Sequence, residues 1–429
     1  MTRFFVPGSH PALSLAELAA VLATGDFSRC TDGVFLVETD RGAEELQARL
    51  GGVVKIGRVV GELPRYNVAA AADVLVDLAR RTSEASEGKI SFGLSVYDAG
   101  NKSMTAQLKK DRQRVGLEMK KRLKVTASFQ EGAVGSPRSV RYVDSKEPNL
   151  SAVIVTENGL LESGGEYCLM AAPTRVYVGR TETVQDYKEW SRRDYGRPAS
   201  DAISGMLPPK LARMMVNMSM TPSGGRISPL QGQGEMSRTS ETEGVSLLDP
   251  FCGSGTVLVE AGLLGFDRLI GNDLEAKAVA DTKKNVAWAG LEADIIQGDA
   301  ANIAERVRGP VDAVVTEPYL GPPRLKKPTP KEAGLTVGTL MTLYERSFMS
   351  IHSLLAEGGR CVVAFPVFET TEHRLFLPLA PMLKKIGYKI VVPVPDTAPI
   401  AFKERTPNGG LLYRRPDAIV SREILVVEK

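Results

Sequence analysis

The chain has 429 residues, 43% of them hydrophobic, which is enough for two or three domains with their own cores, and its net charge of +3 does not by itself favour any partner. Its four cysteines are scattered and it has three histidines, which argues against a disulfide framework or a metal site and predicts a cytoplasmic protein. No run approaches the roughly 20 apolar residues of a membrane span, and the N-terminus lacks the pattern of a signal peptide.

Residues 1–65 have the pattern of a small α/β domain. Its helix carries apolar residues at helical spacing, and Ser14 followed by Glu17 has the spacing of a capping box, which predicts the helix start there. Strands are predicted at 3–6, 33–38 and 53–60.

Residues 66–180 form a second predicted domain, and its distinguishing feature is its charge. Between positions 101 and 146 there are 12 basic and 4 acidic residues, whereas the whole chain carries only +3. Such segregation predicts a polyanionic partner. A helix is predicted at 68–81, a long basic helix at 105–123, and strands at 90–96, 138–143, 151–156 and 166–171. Cations on every side of one helix cannot all face one partner, so some would serve only solubility. The candidate binding residues are Lys109, Lys110, Arg112, Lys120, Lys121 and Arg122.

Residues 181–204 mix charged and aromatic residues without a strong period, which predicts a linker. Prolines at 208 and 209 mark the start of a helix that enters the last domain, 205–429. Within it, 221–244 is rich in Gly, Ser, Thr and Gln, which predicts a mobile insertion.

The rest of the chain alternates strands and helices, the pattern of a doubly wound α/β domain. Five strand–helix units and a final pair of strands predict a seven-stranded sheet with one antiparallel strand. The predicted strands are 246–249, 268–272, 293–297, 312–316, 360–365, 388–394 and 423–427, and the predicted helices are 255–264, 275–289, 301–307, 338–356 and 373–386.

The first strand of this domain ends in Asp249, and two glycines follow before the helix. Glycines there allow the backbone to approach a ligand closely. A dinucleotide fingerprint would need Gly or Ala at Leu258, and a pyrophosphate would be repelled by Asp249. The pattern therefore favours a ligand with positive charge, such as the ammonium and sulfonium of S-adenosylmethionine.

Two more carboxylates fall at the ends of the next two predicted strands. Asp273 is placed to accept the ribose hydroxyls, and Asp299 is placed to face the adenine amino group. A glycine turn used only for packing, or a different nucleotide site, is the alternative. The predicted cofactor-binding residues are Asp249, Pro250, Phe251, Cys252, Gly253, Ser254, Gly255, Thr256, Asn272, Asp273, Leu274, Asp299 and Ala300.

The run Asp-Pro-Phe-Cys-Gly-Ser-Gly-Thr at 249–256 resembles the first motif of the amino-methyltransferases that modify nucleic-acid bases, and more narrowly the THUMP-domain tRNA guanine-N2 methyltransferases. The segments at 4–8, 197–198, 413–416 and 421–424 are also similar to that family. The resemblance implies a C-terminal Rossmann-like, seven-stranded class I methyltransferase domain after an α+β region with a THUMP-like domain. It also implies S-adenosylmethionine as cofactor and tRNA as partner.

The fourth predicted strand ends at Thr316 and is followed by Glu317, Pro318, Tyr319 and Leu320, and we predict that the first four of these five residues are catalytic. The resembling enzymes have Asp or Asn, two prolines and an aromatic residue at this tip. Aligned without a gap, Glu317 is the acid and Leu320 takes the aromatic slot. Shifted by one, Tyr319 is the aromatic residue and the acid falls on Thr316. The ungapped alignment keeps a carboxylate that would orient the weakly nucleophilic exocyclic amine.

A proline-rich segment at 322–330 follows this tip and carries Lys326 and Lys327, with Lys331 just beyond, which predicts a loop that grips phosphate. The complete prediction is a tRNA (guanine-N2-)-methyltransferase, expected to be a monomer. The alternatives are a DNA adenine or cytosine amino-methyltransferase and a catalytically inactive RNA-binding protein or chaperone that retains the cofactor pocket.

Overall fold

A computed structural model describes residues 1–23, 25–83, 90–127, 139–162, 164–199, 206–220, 244–416 and 418–429. The insertion predicted at 221–244 lies outside these residues except for Gly244. None of the helices in the described ranges is long and apolar enough to cross a membrane.

The N-terminal half is built on one sheet with the strand order β2-β1-β3-β7-β6-β4-β5. The strands are β1 (Thr2–Pro7), β2 (Phe35–Glu38), β3 (Val53–Leu63), β4 (Ile90–Asp98), β5 (Val140–Val143), β6 (Gly164–Ala171) and β7 (Val176–Val184). The helices up to the start of the second half are α1 (Pro11–Leu22), α2 (Ala43–Arg49), α3 (Val68–Ser83), α4 (Lys102–Ala127), α5 (Ala152–Glu157), α6 (Tyr187–Tyr195) and α7 (Pro209–Met218).

The sheet runs without a break through both predicted N-terminal domains, because β3 pairs with β1 on one side and β7 on the other. At Gly57 on β3 there is no room for a side chain. An added Cβ would lie 2.2 Å from the carbonyl oxygen of Arg180 and 2.4 Å from the ring of Phe4. The predicted boundary at residue 65 follows the end of β3 but does not separate two sheets.

Two local predictions in this half are wrong. The segment 151–156 is helical, not extended: Ser151 accepts a hydrogen bond from the backbone N–H of Ile154 and starts α5. Ser14 does not start α1, which begins at Pro11. Instead, Glu17 accepts the backbone N–H groups of Gly51 and Gly52, each at 2.7 Å.

The C-terminal half has a mixed sheet whose main path is β10-β9-β8-β11-β12-β16-β14, with two short strands pairing beside it. The strands are β8 (Ser246–Asp249), β9 (Arg268–Asp273), β10 (Asp294–Gln297), β11 (Val311–Thr316), β12 (Leu355–Glu369), β13 (Arg374–Phe376), β14 (Lys389–Val391), β15 (Leu411–Tyr413) and β16 (Val420–Glu428). The helices are α8 (Thr256–Leu263), α9 (Ala276–Trp288), α10 (Pro330–Leu354) and α11 (Leu379–Ile386), and 3-10 turns occupy Ala300–Glu305 and Ile400–Phe402.

Seven strands form the main path and β16 runs antiparallel to β12 and β14, as the sequence predicts. The strand order reverses between β8 and β11, which both pair in parallel with the strands on their outer sides. The predicted class I methyltransferase fold is therefore confirmed. A ligand in such a sheet binds at the carboxyl ends of the strands, next to this reversal.

Three helix predictions in this half need correction. Helix 301–307 is a 3-10 turn, because Asp299 caps it by accepting the N–H of Ala301. Helix α10 begins at Pro330, eight residues before its predicted start, because Thr329 and Glu332 form a capping box. The predicted helix 373–386 divides into the strand β13 and the helix α11.

Helix α7 joins the two halves, because it packs against α1 on one side and α8 on the other. A buried ion pair anchors it: the guanidinium of Arg213 lies 2.7 Å from the carboxylate of Glu260. One turn further along the helix, Asn217 donates to Glu17 of α1 at 2.7 Å. These contacts fix the N-terminal sheet relative to the carboxyl edge of the methyltransferase sheet.

Candidate active site

The site begins with the glycine turn between β8 and α8. Both glycines have positive φ angles, +53° at Gly253 and +80° at Gly255. An added Cβ at Gly255 would lie 2.9 Å from Thr282, whereas one at Gly253 would meet no atom within 4 Å. Gly255 therefore allows the turn to pack on α9, and the open side of Gly253 leaves space for a ligand.

Backbone and amide hydrogen bonds tie together the ends of β8, β9 and β10. The backbone N–H of Cys252 donates to the carbonyl of Asn272 at 2.9 Å. The side-chain amide of Asn272 donates to the carbonyls of Pro250 and Gly298, both at 3.0 Å. The Asn272 side chain therefore links the chain ends of β8, β9 and β10. Its Oδ1 is buried and has no hydrogen-bond partner among the described residues.

Asp273 ends β9 and holds the glycine turn. One carboxylate oxygen accepts the N–H of Gly253 at 2.9 Å, and the other accepts the N–H of Glu275 at 3.0 Å. Each oxygen of a carboxylate has capacity for a second hydrogen bond. Asp273 can therefore hold its loop and still accept two further hydroxyl groups.

Asp249 is almost completely buried at the end of β8 and forms no ion pair with a cation in the parts of the chain described above. It accepts the hydroxyl of Thr316 at 2.7 Å and the N–H of Phe251 at 3.2 Å. Burial is the main cause that raises the pKa of Asp249 to about 7, and the nearby charges of Asp273 and Glu317 act in the same direction. Asp249 and Asp273 end the paired strands β8 and β9, and Glu317 follows Thr316, so the three carboxylates lie at the same edge of the sheet.

Asp299 has a different role from that of the other two strand-end acids. Its side chain is 40% exposed, caps the 3-10 turn, and has the guanidinium of Arg346 at 3.9 Å as its charged neighbour. It stands two residues beyond Gln297, which is in register with Asp273. Asp299 therefore lies beside the carboxyl end of β10, the outermost strand of the main sheet path.

The remaining predicted cofactor residues divide into buried supports and one exposed side chain. Thr256 is buried and its hydroxyl accepts from Arg197 at 2.5 Å. The carbonyl of Ser254 accepts the amide of Asn285 at 2.8 Å. Ala300 is buried, whereas Leu274 is 67% exposed beside Asp273.

The predicted catalytic tip follows β11. Thr316 points to Asp249, which makes it a support for that carboxylate, so the alignment that would use Thr316 as the acid is not favoured. Glu317 is held in a two-point contact with Arg422, whose Nε and Nη2 donate to its two carboxylate oxygens. Tyr319 is 52% exposed and its carbonyl accepts the hydroxyl of Tyr344 at 2.6 Å, while Pro318 is buried.

The sequence prediction missed Arg422 as a partner of the tip. The two residues are 105 positions apart in the chain. The segment that contains Arg422 resembles the C-terminus of the family, but nothing in a local pattern indicates that this side chain reaches Glu317. It also missed Asn285, which ties the linker at Ala199 to the glycine turn.

The basic residues predicted on α4 are not equivalent. Arg112 is buried, and its guanidinium is bonded to the carbonyl of Ser145 at 2.6 Å and paired with Asp144 at 2.8 Å, so these contacts give it a structural role. Arg122 is paired with Glu118 at 2.8 Å and with Asp73, which offsets its charge. The other predicted cations are exposed or half-buried: Lys109, Lys110, Lys120 and Lys121.

The segment after the tip is exposed at Lys326 and Lys327, as a phosphate-gripping loop requires. Arg324 is tied down by a hydrogen bond to Thr336 at 2.8 Å. Lys331 lies on the first turn of α10 rather than in a loop.

Residues 233–377 match the UPF0020 family, described as an RMKL-like methyltransferase domain. Two archaeal tRNA (guanine(10)-N2)-dimethyltransferases are similar to the chain. The protein of Methanothermobacter thermautotrophicus is 36% identical over 38% of this chain and 39% of its own length. That of Pyrococcus abyssi is 28% identical over 73% of this chain and 77% of its own length.

Over the residues that match, the chain is similar to tRNA guanine-N2 methyltransferases. The crystal structure of TrmN from Thermus thermophilus matches the whole chain and the whole of its own chain with a TM-score of 0.54 at 17% identity, which supports the fold. These matches agree with the resemblance of the motif at 249–256, and S-adenosylmethionine is the methyl donor that a methyltransferase domain of this kind would hold.

The residues of this methyltransferase site fit that cofactor. Asp249 is a buried carboxylate that no cation of the described residues pairs with, so it would pair with positive charge on the methionine part. The open side of Gly253 leaves room for close approach, and Asp273 retains acceptor capacity for the ribose. In the ranges described, no group of three or more His, Cys, Asp or Glu side chains could hold a metal ion.

The raised pKa of Asp249 predicts that cofactor affinity depends on pH. Below about pH 7 the carboxyl binds a proton and loses the charge that pairs with the cofactor, so affinity should rise as the pH increases from 5.5 to 7.5. Binding at pH 7 should also release a proton. Calorimetry in buffers of different ionisation enthalpy measures both effects. In Asp249→Asn the affinity should be weaker and independent of pH over this window, and a pH dependence that survives this substitution would assign the proton to another group.

Proposed function

We propose that this protein transfers a methyl group from S-adenosylmethionine to the exocyclic N2 amine of a guanosine in tRNA. The observation that carries the proposal is the position of Glu317, a carboxylate that directly follows Thr316 at the tip of β11, where the Thr316 hydroxyl donates to Asp249 at 2.7 Å. The names of the archaeal relatives support tRNA as the substrate.

The chemistry at the tip follows from the weak nucleophilicity of an amine conjugated to a purine ring. When bound, S-adenosylmethionine supplies an electrophilic methyl group on a sulfonium. The carboxylate of Glu317 and the backbone carbonyl of Pro318 accept the two amine hydrogens, orient the nitrogen, and stabilise the positive charge that develops on it. The half-exposed ring of Tyr319 stacks on the base after it leaves its helix.

The N-terminal half holds the RNA in this proposal. The exposed lysines of α4 supply one cationic surface, and Lys326 and Lys327 supply a second beside the active site. The mixed sheet with flanking helices at 66–180 is consistent with a THUMP-like RNA-binding domain.

A cytoplasmic monomer belongs to the same proposal, and the four cysteines, all free and buried, suit a reducing compartment.

A transfer assay with radiolabelled cofactor tests the function. Unmodified tRNA transcript should accept label, whereas duplex DNA with the same base composition should not. Label in DNA alone would support the DNA amino-methyltransferase. Cofactor binding without label in any nucleic acid would support an inactive RNA-binding protein.

The affinity for tRNA should fall steeply as salt increases, because cations that neutralise phosphates release counterions. In Lys109→Gln/Lys110→Gln we expect the slope of log K against log salt to decrease by roughly two, about one for each phosphate that is no longer neutralised. Lys283 and Lys284 form a matched exposed pair on α9 of the methyltransferase domain. Filter binding should show an unchanged slope for Lys283→Gln/Lys284→Gln, and equal slopes for the two double variants would contradict a role for α4.

A further inference from the structure

The pair between Glu317 and Arg422 joins the catalytic tip to the antiparallel strand of the sheet. Both side chains are nearly excluded from water, with exposed fractions of 12% for Glu317 and 13% for Arg422. The guanidinium contacts both carboxylate oxygens, through Nε on one and through Nη2 at 3.4 Å on the other. A fork of this kind fixes the orientation of a carboxylate plane, which a single donor cannot do.

Arg422 is suited to hold another side chain in place because its own backbone is fixed on both sides. It lies inside β16, with Pro366 of β12 as its partner on one side and Tyr413 of β15 on the other. Glu317 follows the end of β11, where the chain leaves the sheet, and a glutamate has one more rotatable bond than an aspartate. Its carboxylate therefore needs an external contact to remain in one orientation.

Other charged and titratable groups surround the pair. Asp249 on β8 is a like-charged neighbour of Glu317, and Tyr344 on α10 and Tyr413 on β15 also interact with the pair. Burial would lower the pKa of Arg422, but the attraction of Glu317 outweighs it, and the pKa of Arg422 is raised above its ordinary value. The guanidinium is therefore the cation that balances Glu317 against Asp249.

We propose that Arg422 is a positioning residue for methyl transfer, which orients the carboxylate of Glu317 while leaving its other lone pairs for the amine hydrogens. This inference rests on the proposed function, because it assigns to Arg422 an effect on the reacting amine through Glu317. It also accounts for a glutamate at a tip where the resembling enzymes have Asp or Asn.

The first test compares Arg422→Gln with Arg422→Lys and with Arg360→Gln. Arg360 is a matched control, since it pairs with Glu428 at 3.3 Å on the same β12–β16 ladder at the edge away from the site. In Arg422→Gln, kcat at pH 7 should fall on the order of 100-fold, the loss expected when a reacting group is misplaced by about 1 Å. Cofactor affinity should remain within about twofold, Arg422→Lys should restore part of kcat, and Arg360→Gln should keep the wild-type rate.

A double-variant cycle separates positioning through Glu317 from general stabilisation. In a Glu317→Gln background, removal of Arg422 should cost little more, because no charged carboxylate remains to be oriented. Independent losses that multiply in the double variant would overturn the proposal.

A crystal structure of Arg422→Gln gives a readout that does not depend on the substrate. The side chain of Glu317 should leave its wild-type orientation in Arg422→Gln and keep it in Arg360→Gln. A Glu317 that stays in place without the guanidinium overturns the inference whatever the enzyme methylates. A displaced Glu317 in a protein that methylates no RNA would instead support the positioning contact and reject the proposed function.

Discussion

Glu317→Gln is expected to reduce kcat by about 10²–10³, the usual effect of removing one preorganised electrostatic contact to a developing charge. The amide still accepts one hydrogen bond, but it cannot balance the positive charge that grows on the nitrogen as the methyl group transfers. The affinity for S-adenosylmethionine should change little, because the direct supports of the cofactor crevice are Asp249, Gly253 and Asp273. Single-turnover rates and calorimetry measure the two quantities separately.

The glutamine variant is preferable to alanine because Arg422 is nearly buried. An alanine at 317 would leave its guanidinium unpaired, and breaking a buried pair by removing one partner destabilises by about 3–5 kcal/mol. Glu292→Gln, an exposed acid between α9 and β10 that forms no part of the site, serves as the matched control. A fully active Glu317→Gln with normal folding would show that another group orients the amine.

Asp273→Ala is expected to weaken S-adenosylmethionine binding by at least about 100-fold. Hydrogen bonds to a charged acceptor contribute about 1.5–3 kcal/mol each, and two ribose hydroxyls lose their acceptor together. The same substitution releases the N–H groups of Gly253 and Glu275, so the glycine turn loses the side chain that holds it. Isothermal titration of the purified variant gives the affinity directly.

Asp281→Asn is the control for this change, since Asp281 lies on the next helix in an i,i+4 pair with Lys277, outside the crevice. Pairs of that kind contribute only about 0.3–0.5 kcal/mol. Its affinity for the cofactor should be that of the wild type. If Asp273→Ala binds the cofactor as tightly as Asp281→Asn does, the ribose assignment is wrong.

The strand ends and the glycine turn of the candidate crevice could be predicted from the sequence because their signals are local. A glycine turn directly after a buried strand and acids at strand ends are features of short segments, and parallel strands bring their carboxyl ends to one edge. The pairing of Glu317 with Arg422 could not be predicted in this way. It depends on β16 folding back beside β12, which places residues from distant segments in contact.

Burial decided which basic residues of α4 are available to a partner. The local charge excess is real, but Arg112 faces the sheet and binds Asp144, while Lys109 and Lys110 face outward. Charge composition alone does not distinguish these faces when cations occur all around a helix. The starts of α5 and α10 depend on side-chain caps at Ser151 and Thr329, which apolar periodicity does not indicate.

Mass spectrometry of nucleosides from tRNA treated with the purified protein and S-adenosylmethionine is the most direct test of the central claim. The proposed chemistry predicts N2-methylated guanosine, as the mono- or dimethyl form, in tRNA treated with the wild type and its absence after treatment with Glu317→Gln. Methylation at a ring nitrogen, at adenine or cytosine, or only on DNA would contradict the assignment of the tip to a guanine exocyclic amine.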